Sequence, residues 1–240
     1  MIARGGFATY GQELGILMLD THFPRIPGDI GNARTFPFPV RYRKVEGASP
    51  RRVVEEGDPS LLEPFIRAAR ELESEGVKAI TTSCGFLALF QKELSAAVNV
   101  PVFTSSLLQI PFLARLYGRP GKIGVMTARA SALTQRHFEQ CGASRLPLAI
   151  AGMDESPEFT KIFLERGSSD DIASLDSALL EAELRKVSAH LVAEHPDINF
   201  IVLECTNMPP FRTAIQESCG KPVYDIVTLA RYIHSGLASA

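Results

Sequence analysis

Ala79-Ile-Thr-Thr-Ser-Cys84-Gly85 and Ile201-Val-Leu-Glu-Cys205-Thr-Asn207 are two versions of one pattern, an apolar run that ends in a cysteine within a short polar stretch. Each is preceded by another apolar run. In the first half this is Gly15-Ile-Leu-Met-Leu-Asp20, and in the second it is Lys122-Ile-Gly-Val-Met-Thr127. The distance from the opening run to the cysteine is 64 residues in the first half (Asp20 to Cys84) and 78 in the second (Thr127 to Cys205). The chain therefore reads as two halves built to one plan.

Working outward, apolar runs at residues 15–20, 77–83, 100–103, 122–127, 146–151, 200–204 and 222–224 read as strands. Several are apolar on both alternating faces, as strands covered by helices on both sides must be. Amphipathic stretches lie between them. Asp58-Pro59 reads as an N-cap with proline in the first turn; Leu61, Leu62, Phe65, Ile66, Ala69 and Leu72 then mark one face, and Gly76 stops the helix. Further helices are expected over residues 130–141, 171–193, 211–218 and 225–235, with the acidic stretch at 168–171 as a helix start. Residues 21–42 carry Pro24, Pro27, Pro37 and Pro39 without sustained periodicity, and read as a long ordered loop. The expected fold is α/β: two similar domains with mainly parallel sheets related by a pseudo-two-fold, and an active site in the cleft between them. Residues 1–115 plus 222–240 would form the first domain and 116–221 the second.

Composition sets outer bounds. With 240 residues, 45% hydrophobic and 22% charged, the chain can bury a large core without disulfides or metal. A net charge of −2 with dispersed basic residues gives no nucleic-acid surface. No apolar run is long enough to span a membrane, and residues 1–10 do not read as a signal peptide. A cytoplasmic location is the expectation, and with it four free thiols, Cys84, Cys141, Cys205 and Cys219. None lies in a CxxC pair, and the histidines have no zinc-like spacing from them, so no metal is expected. No Gly-x-Ser-x-Gly elbow or phosphate loop is present.

Cys84 and Cys205 each end a strand just before a helix, where ligands bind in open α/β sheets. The following helix aims its unpaired N–H groups and positive dipole end at the thiol, which is expected to lower its pKa. Two thiols on opposite sides of a small molecule suit removal of a proton from one face of a carbon and its return to the other. Free cysteine is more often a buried structural residue, and that reading fits Cys141 and Cys219. For Cys84 and Cys205 the polar flanks, Thr81-Thr82-Ser83 and Thr206-Asn207, favour function.

These residues resemble the aspartate/glutamate/hydantoin racemase superfamily. The specific likeness lies in Asp20-Thr21, Thr82-Ser-Cys84-Gly, Gly124-Val-Met-Thr-Ala128 and Glu204-Cys205-Thr-Asn-Met-Pro209. The resemblance implies a cofactor-independent racemase or epimerase, an isomerase that inverts a carbon next to the carboxylate of a small acid, commonly as a homodimer. Cys84 and Cys205 would be its acid/base pair. Asp20 would orient a cysteine or bind a substrate amine, and Thr127 and Thr206 would hold a carboxylate. Thr21, Ser83, Gly85 and Asn207 complete the candidate substrate contacts. Gly85 and Phe86 replace the family's Asn and Thr, and Asn207 its usual His, which leaves the substrate open. Decarboxylases of the superfamily keep one cysteine, so the presence of both argues against that activity. A maleate-type cis–trans isomerase using a cysteine nucleophile, or a non-catalytic ligand-binding protein, are the alternatives. His22, Arg25 and Arg129 are further candidates near the mouth of the strands; His22 reads more readily as a solvated surface residue, Arg25 equally as the partner of Asp29 in a loop ion pair, and Arg129 as a first-turn surface residue.

Overall fold

In the computed structural model, which describes residues 5–165 and 174–237, the apolar runs assemble into parallel sheets. The first contains β1 (Leu14–Met18), β2 (Val40–Lys44), β3 (Ala79–Thr82) and β4 (Val102–Phe103), in the order β2-β1-β3-β4. The second contains β5 (Lys122–Thr127), β6 (Leu148–Gly152), β7 (Ile198–Leu203) and β8 (Val223–Tyr224), in the order β6-β5-β7-β8. Every neighbouring pair is parallel. The two orders are one order repeated, so the expected pair of similar α/β units is the observed fold.

Helices cover both faces. The first half supplies α1 (Leu62–Ser74), α2 (Gln91–Ala97) and α3 (Ile110–Tyr117). The second supplies α4 (Gln135–Gln140), α5 (Pro157–Thr160), α6 (Ser177–Glu194) and α7 (Arg212–Cys219), and α8 (Ile226–Gly236) closes the described chain. The Asp58 side chain accepts from the Ser60 N–H at 2.9 Å, and Pro59 opens the short 3-10 turn leading into α1. α1 buries Phe65, Ala68, Ala69 and Leu72. β1 shows why both faces of a strand must be apolar: Leu14 and Ile16 pack with Ile226 and Ala230 of α8, whereas Leu17 belongs to the main core with Phe65 and Leu72. That main core is continuous across the halves, running from Leu17 and Ile80 to Val125 and Val202.

Four sequence expectations change. Residues 40–42, read as the end of the proline-rich loop, belong to β2 (Val40–Lys44). This is an edge strand whose Arg41 and Arg43 side chains ion-pair with Glu75, and its charged VRYRK pattern hides the strand signal. α2 and α3 are additions to the expected helices; both are short and each is entered through a 3-10 turn. The helix expected over 130–141 breaks into a 3-10 turn, Ala130–Ala132, and α4, with Leu133 extended between them. Residues 222–224 were grouped with the first domain. β8 instead pairs with β7 (Ile201 opposite Val223), so the return to the first sheet begins only with α8. The helix start expected at 168–171 lies outside the described residues.

α8 depends on its first residue. Asp225 is 1% exposed; its carboxylate accepts from the Thr228 N–H at 2.7 Å, and the Thr228 hydroxyl accepts from the Asp225 N–H at 2.9 Å. Asp225→Ala is expected to lower the unfolding free energy by about 1–2 kcal/mol, read from urea denaturation; an unchanged midpoint would show that α8 docks without its cap.

Candidate active site

In a sheet of order β2-β1-β3-β4 the chain reverses its direction of travel between β1 and β3, which opens a crevice beyond their carboxyl ends. The second sheet has the same crevice between β5 and β7. Residues just after all four strands meet there: Leu19 after β1, Ser83 and Cys84 after β3, Ala128 after β5, and Glu204 and Cys205 after β7. The crevices are fastened to each other by the Thr206 hydroxyl, which donates to the Ser83 carbonyl at 2.6 Å, and by the Ser106 hydroxyl, which donates to the Leu203 carbonyl at 2.5 Å. The expected two-cysteine cleft is therefore a real juxtaposition: both thiols line one pocket.

The cleft is tight, about 30 Å³, room for roughly one water. Its roof comes from the proline-rich loop and from the π-helical turn Lys161–Glu165 that follows α5. Phe23 of the loop and Phe163 of the turn meet edge-to-face at 4.9 Å. Thr21, Phe23 and Arg25 bring that loop into the cleft lining. Gly28, at φ 103°, lets the loop lie against the main chain of Pro210.

A polar chain runs along one wall. Arg25 lies 4.5 Å above the Phe23 ring; it donates to Asp29 Oδ1 at 2.7 Å and to the Thr21 hydroxyl at 2.9 Å. Asp29, 2% exposed, accepts from the Asn207 amide at 2.9 Å through its other oxygen, and Asn207 Oδ1 faces the Cys205 thiol at 3.7 Å. Asn207 thus bridges an acidic loop residue to the second cysteine.

Under the thiols lies Glu204, fully buried at the end of β7. The Thr127 hydroxyl donates to its Oε2 at 2.6 Å, and its Oε1 is buried with no hydrogen-bond partner. Burial pushes the carboxyl up to about 8 against the hydrogen bonds from Thr127 and Ala128. Gly85 is required here: a Cβ on it would collide with the Glu204 carbonyl and carboxylate. The glycine standing where the superfamily has asparagine is thus explained by a carboxyl packed against the turn after Cys84.

The thiols differ from the expectation of a lowered pKa. Cys84 caps a 3-10 helix, Gly85–Phe90, whose Phe86 and Leu87 main chain stabilises a thiolate, yet burial and the nearby Glu204 push the thiol up to about 12. Cys205 is raised well above its ordinary value by burial and by Glu204, and Asp29 adds to the rise. One short turn of N–H groups does not offset removal from water. The two are not equivalent: Arg25 favours the Cys84 thiolate, whereas Asp29 opposes that of Cys205.

Of the sequence candidates, Thr21, Ser83, Cys84, Gly85, Cys205, Thr206 and Asn207 line the cleft. Thr127 is fully buried beneath it and serves Glu204. Asp20 does not line it; it ion-pairs with Lys44 at 3.2 Å, with His22 beside it at 3.8 Å. Arg129 pairs with Glu55 at 3.2 Å. Cys141 and Cys219 are buried free thiols. Among the described residues no group of three or more His, Cys, Asp or Glu side chains could hold a metal ion, and no helix is long and apolar enough to cross a membrane. Sequence reasoning passed over Glu204 and Asp29 as site residues. The signal for Glu204 was a lone acid closing an otherwise apolar strand.

No protein-family model matches the chain. A dimethylsulfoniopropionate lyase of Durusdinium sp. clade D is 32% identical over 232 residues, an alignment covering 93% of this chain and 74% of that protein. This chain belongs to the dimethylsulfoniopropionate lyase family. Dimethylsulfoniopropionate lyase 3 of Emiliania huxleyi is 29% identical over 223 residues, and there the match covers 90% of this chain but 57% of the longer relative. Among solved structures, unliganded arylmalonate decarboxylase aligns over 95% of both chains with a TM-score of 0.59 at 16% identity. Glutamate racemase of Bacillus anthracis aligns over 94% of this chain and 83% of its own, with a TM-score of 0.60 at 18% identity. The fold of this lyase-family member is thus that of the aspartate/glutamate racemase superfamily, and the chain is an enzyme.

Gly85→Ala is expected to lower stability by about 1–3 kcal/mol through overpacking and to change the alkylation rate of Cys84, as Glu204 is displaced. Thermal unfolding and iodoacetamide kinetics check this; a variant identical to the parent in both would remove the steric role of Gly85.

Proposed function

We propose that the chain is a lyase that splits dimethylsulfoniopropionate into dimethyl sulfide and acrylate. The observation that carries the reading is a narrow cleft holding two thiols beside an arginine, in a chain of this family. The substrate has a carboxylate at one end and a sulfonium at the other, with two methylene groups between. A base takes a proton from the carbon next to the carboxylate, the C–S bond breaks, and its electron pair leaves with dimethyl sulfide. Cys84 is the better base, because Arg25 and two main-chain hydrogen bonds favour its thiolate. Arg25 also carries the charge that suits the substrate carboxylate. The rings of Phe23, Phe86 and Phe163 in the lining suit a sulfonium, which rings attract through their quadrupoles.

The racemase reading differs in one step. There the second thiol returns a proton to the opposite face of the same carbon, and no bond to sulfur breaks. Both thiols on one cleft favour it as the second reading.

One experiment separates them: the protein in D2O with dimethylsulfoniopropionate, and separately with a panel of chiral amino acids, hydantoins, substituted dicarboxylates and maleate, followed by NMR and by headspace analysis for dimethyl sulfide. Dimethyl sulfide and acrylate are expected. Deuterium exchange into a chiral acid without dimethyl sulfide would replace the lyase with the racemase. Cys84→Ser is expected to cut turnover by about 100-fold or more, the usual scale of an acid/base group, and Cys205→Ser by less. The reverse order would exchange the two roles. Arg25→Met is expected to raise KM by about 10-fold or more with a smaller change in kcat, the signature of lost substrate binding.

A further inference from the structure

A side-chain amide has two ends of opposite character, an oxygen that accepts and an NH2 that donates. The end that meets a cysteine decides which form of the thiol is favoured. A donor steadies the thiolate, and an acceptor steadies the neutral S–H. Asn207 stands in that position, and its Oδ1 accepts from the Cys205 thiol at 3.7 Å.

The orientation of that amide is set from its far side. Asp29, 2% exposed and 178 positions away in the chain, brings its Oδ2 to 2.9 Å from Asn207 Nδ2. A carboxylate accepts and does not donate, so the NH2 must turn to it, and only Oδ1 is left for the sulfur. Asp29 is itself held, for its Oδ1 accepts from Arg25 and from the Gly31 N–H, both at 2.7 Å. Turning the amide over would set two acceptors against each other in a buried site and leave the Asp29 oxygen without its donor. The remaining surroundings of Cys205 are few. Burial first, and then the charges of Glu204, Cys84 and Asp29, oppose a thiolate there, while the Asn207 main-chain N–H favours one. Arg25, the cation in the cleft lining, is turned to Asp29 and Thr21.

We propose that Asn207 is a positioning residue: its amide, oriented by Asp29, holds Cys205 as the neutral S–H and so leaves the thiolate role to Cys84. This rests on the reading of the cleft as a lyase site with one thiol base. In the elimination, the Cys84 thiolate takes the proton from the carbon next to the carboxylate and becomes S–H. The C–S electron pair leaves with dimethyl sulfide as the acrylate double bond forms. Cys205 keeps its proton throughout and offers it as a hydrogen bond to the negative charge growing on the substrate. Cys84 then gives its proton to water, so one proton is released per substrate. A thiolate at Cys205 would repel the charge that the S–H attracts.

The test follows the Cys205 sulfur in the full chain without substrate. Its S–H stretching band in the infrared and its thiolate absorbance in the ultraviolet are each assigned by their loss in Cys205→Ser, and the absorbance is followed against pH. Wild type is compared with Asn207→Leu, Asn207→Ser, Asp29→Asn and the double variant Asp29→Asn/Asn207→Leu, with circular dichroism as the check on folding. Asn207→Leu keeps a similar volume and removes the acceptor, so the band is expected to move to higher frequency. Cys205 is then expected to titrate about one pH unit lower, the scale of one hydrogen bond. Asn207→Ser, whose hydroxyl both donates and accepts, is expected to shift the titration the same way and carries the test if the leucine variant does not fold. Asp29→Asn frees the amide to turn its NH2 to the sulfur, and is expected to lower the titration more in the wild-type background than in the Asn207→Leu background. The alkaline limb of kcat for dimethyl sulfide release is expected to move down by the same unit in Asn207→Leu.

A band and titration indifferent to Asn207, additive effects of the two substitutions, or an alkaline limb that stays in place would each overturn the proposal. The spectroscopic readings need no turnover. A wild type that shows them as expected but releases no dimethyl sulfide would therefore sink the lyase reading and leave the amide clamp on Cys205 standing.

Discussion

The hydrogen bond from the Thr206 hydroxyl to the Ser83 carbonyl, 2.6 Å long and out of reach of water, ties the residue after one cysteine to the residue before the other. Everything in the cleft is measured from that tie. Two parallel sheets each open a crevice at their strand ends, but two crevices make one site only if they are held face to face. The second tie, from Ser106 to the Leu203 carbonyl, fastens the strand that carries Glu204. Both bonds are buried, where losing a partner costs more than the bond itself contributes, so the relative position of Cys84 and Cys205 is strongly determined.

Desolvation dominates the electrostatics of the site so defined. All four cysteines are raised above the ordinary thiol value, and for each the leading cause is burial. Helix N-termini are present, but as short 3-10 turns with few N–H groups to offer, and they lose to the low dielectric. Cys205 is the more deeply buried of the active-site pair, and smaller contributions from the proline-rich loop add to the difference: Arg25 favours the Cys84 thiolate and Asp29 opposes that of Cys205. A loop with no periodic pattern thus adds to an asymmetry that burial begins.

The superfamily fold accommodates racemases and decarboxylases, so the fold alone does not choose the reaction. The site departs from the superfamily pattern in two places. Gly85 removes a side chain where relatives of the fold carry a polar one, and the space is filled by the carboxyl of Glu204. Asn207, where a histidine is usual, connects to Asp29 instead of acting as an acid or base itself. Glu204 and Asn207 thereby become neighbours of the thiols.

The pairing of apolar runs, the strand-end position of Cys84 and Cys205 and the repeated plan were legible from residues alone, because covered parallel strands must be apolar on both faces and that pattern survives in one dimension. So was the cap at Asp58. The edge strand β2 was not legible, since its exposed VRYRK pattern is shaped by salt bridges to Glu75 on a helix more than thirty residues away. At the end of the first strand, the ion pair of Asp20 with Lys44 was not legible either. Glu204 stood in plain view beside Cys205, yet nothing local says whether a carboxylate at a strand end faces water or a thiol. That depends on Gly85, 119 positions earlier in the chain, and on how closely two sheets approach. The sequence by itself determined the twice-repeated strand framework and the two thiols at its ends. The tertiary structure decided which groups those thiols meet, because burial and charge act through space across segments that the chain keeps far apart.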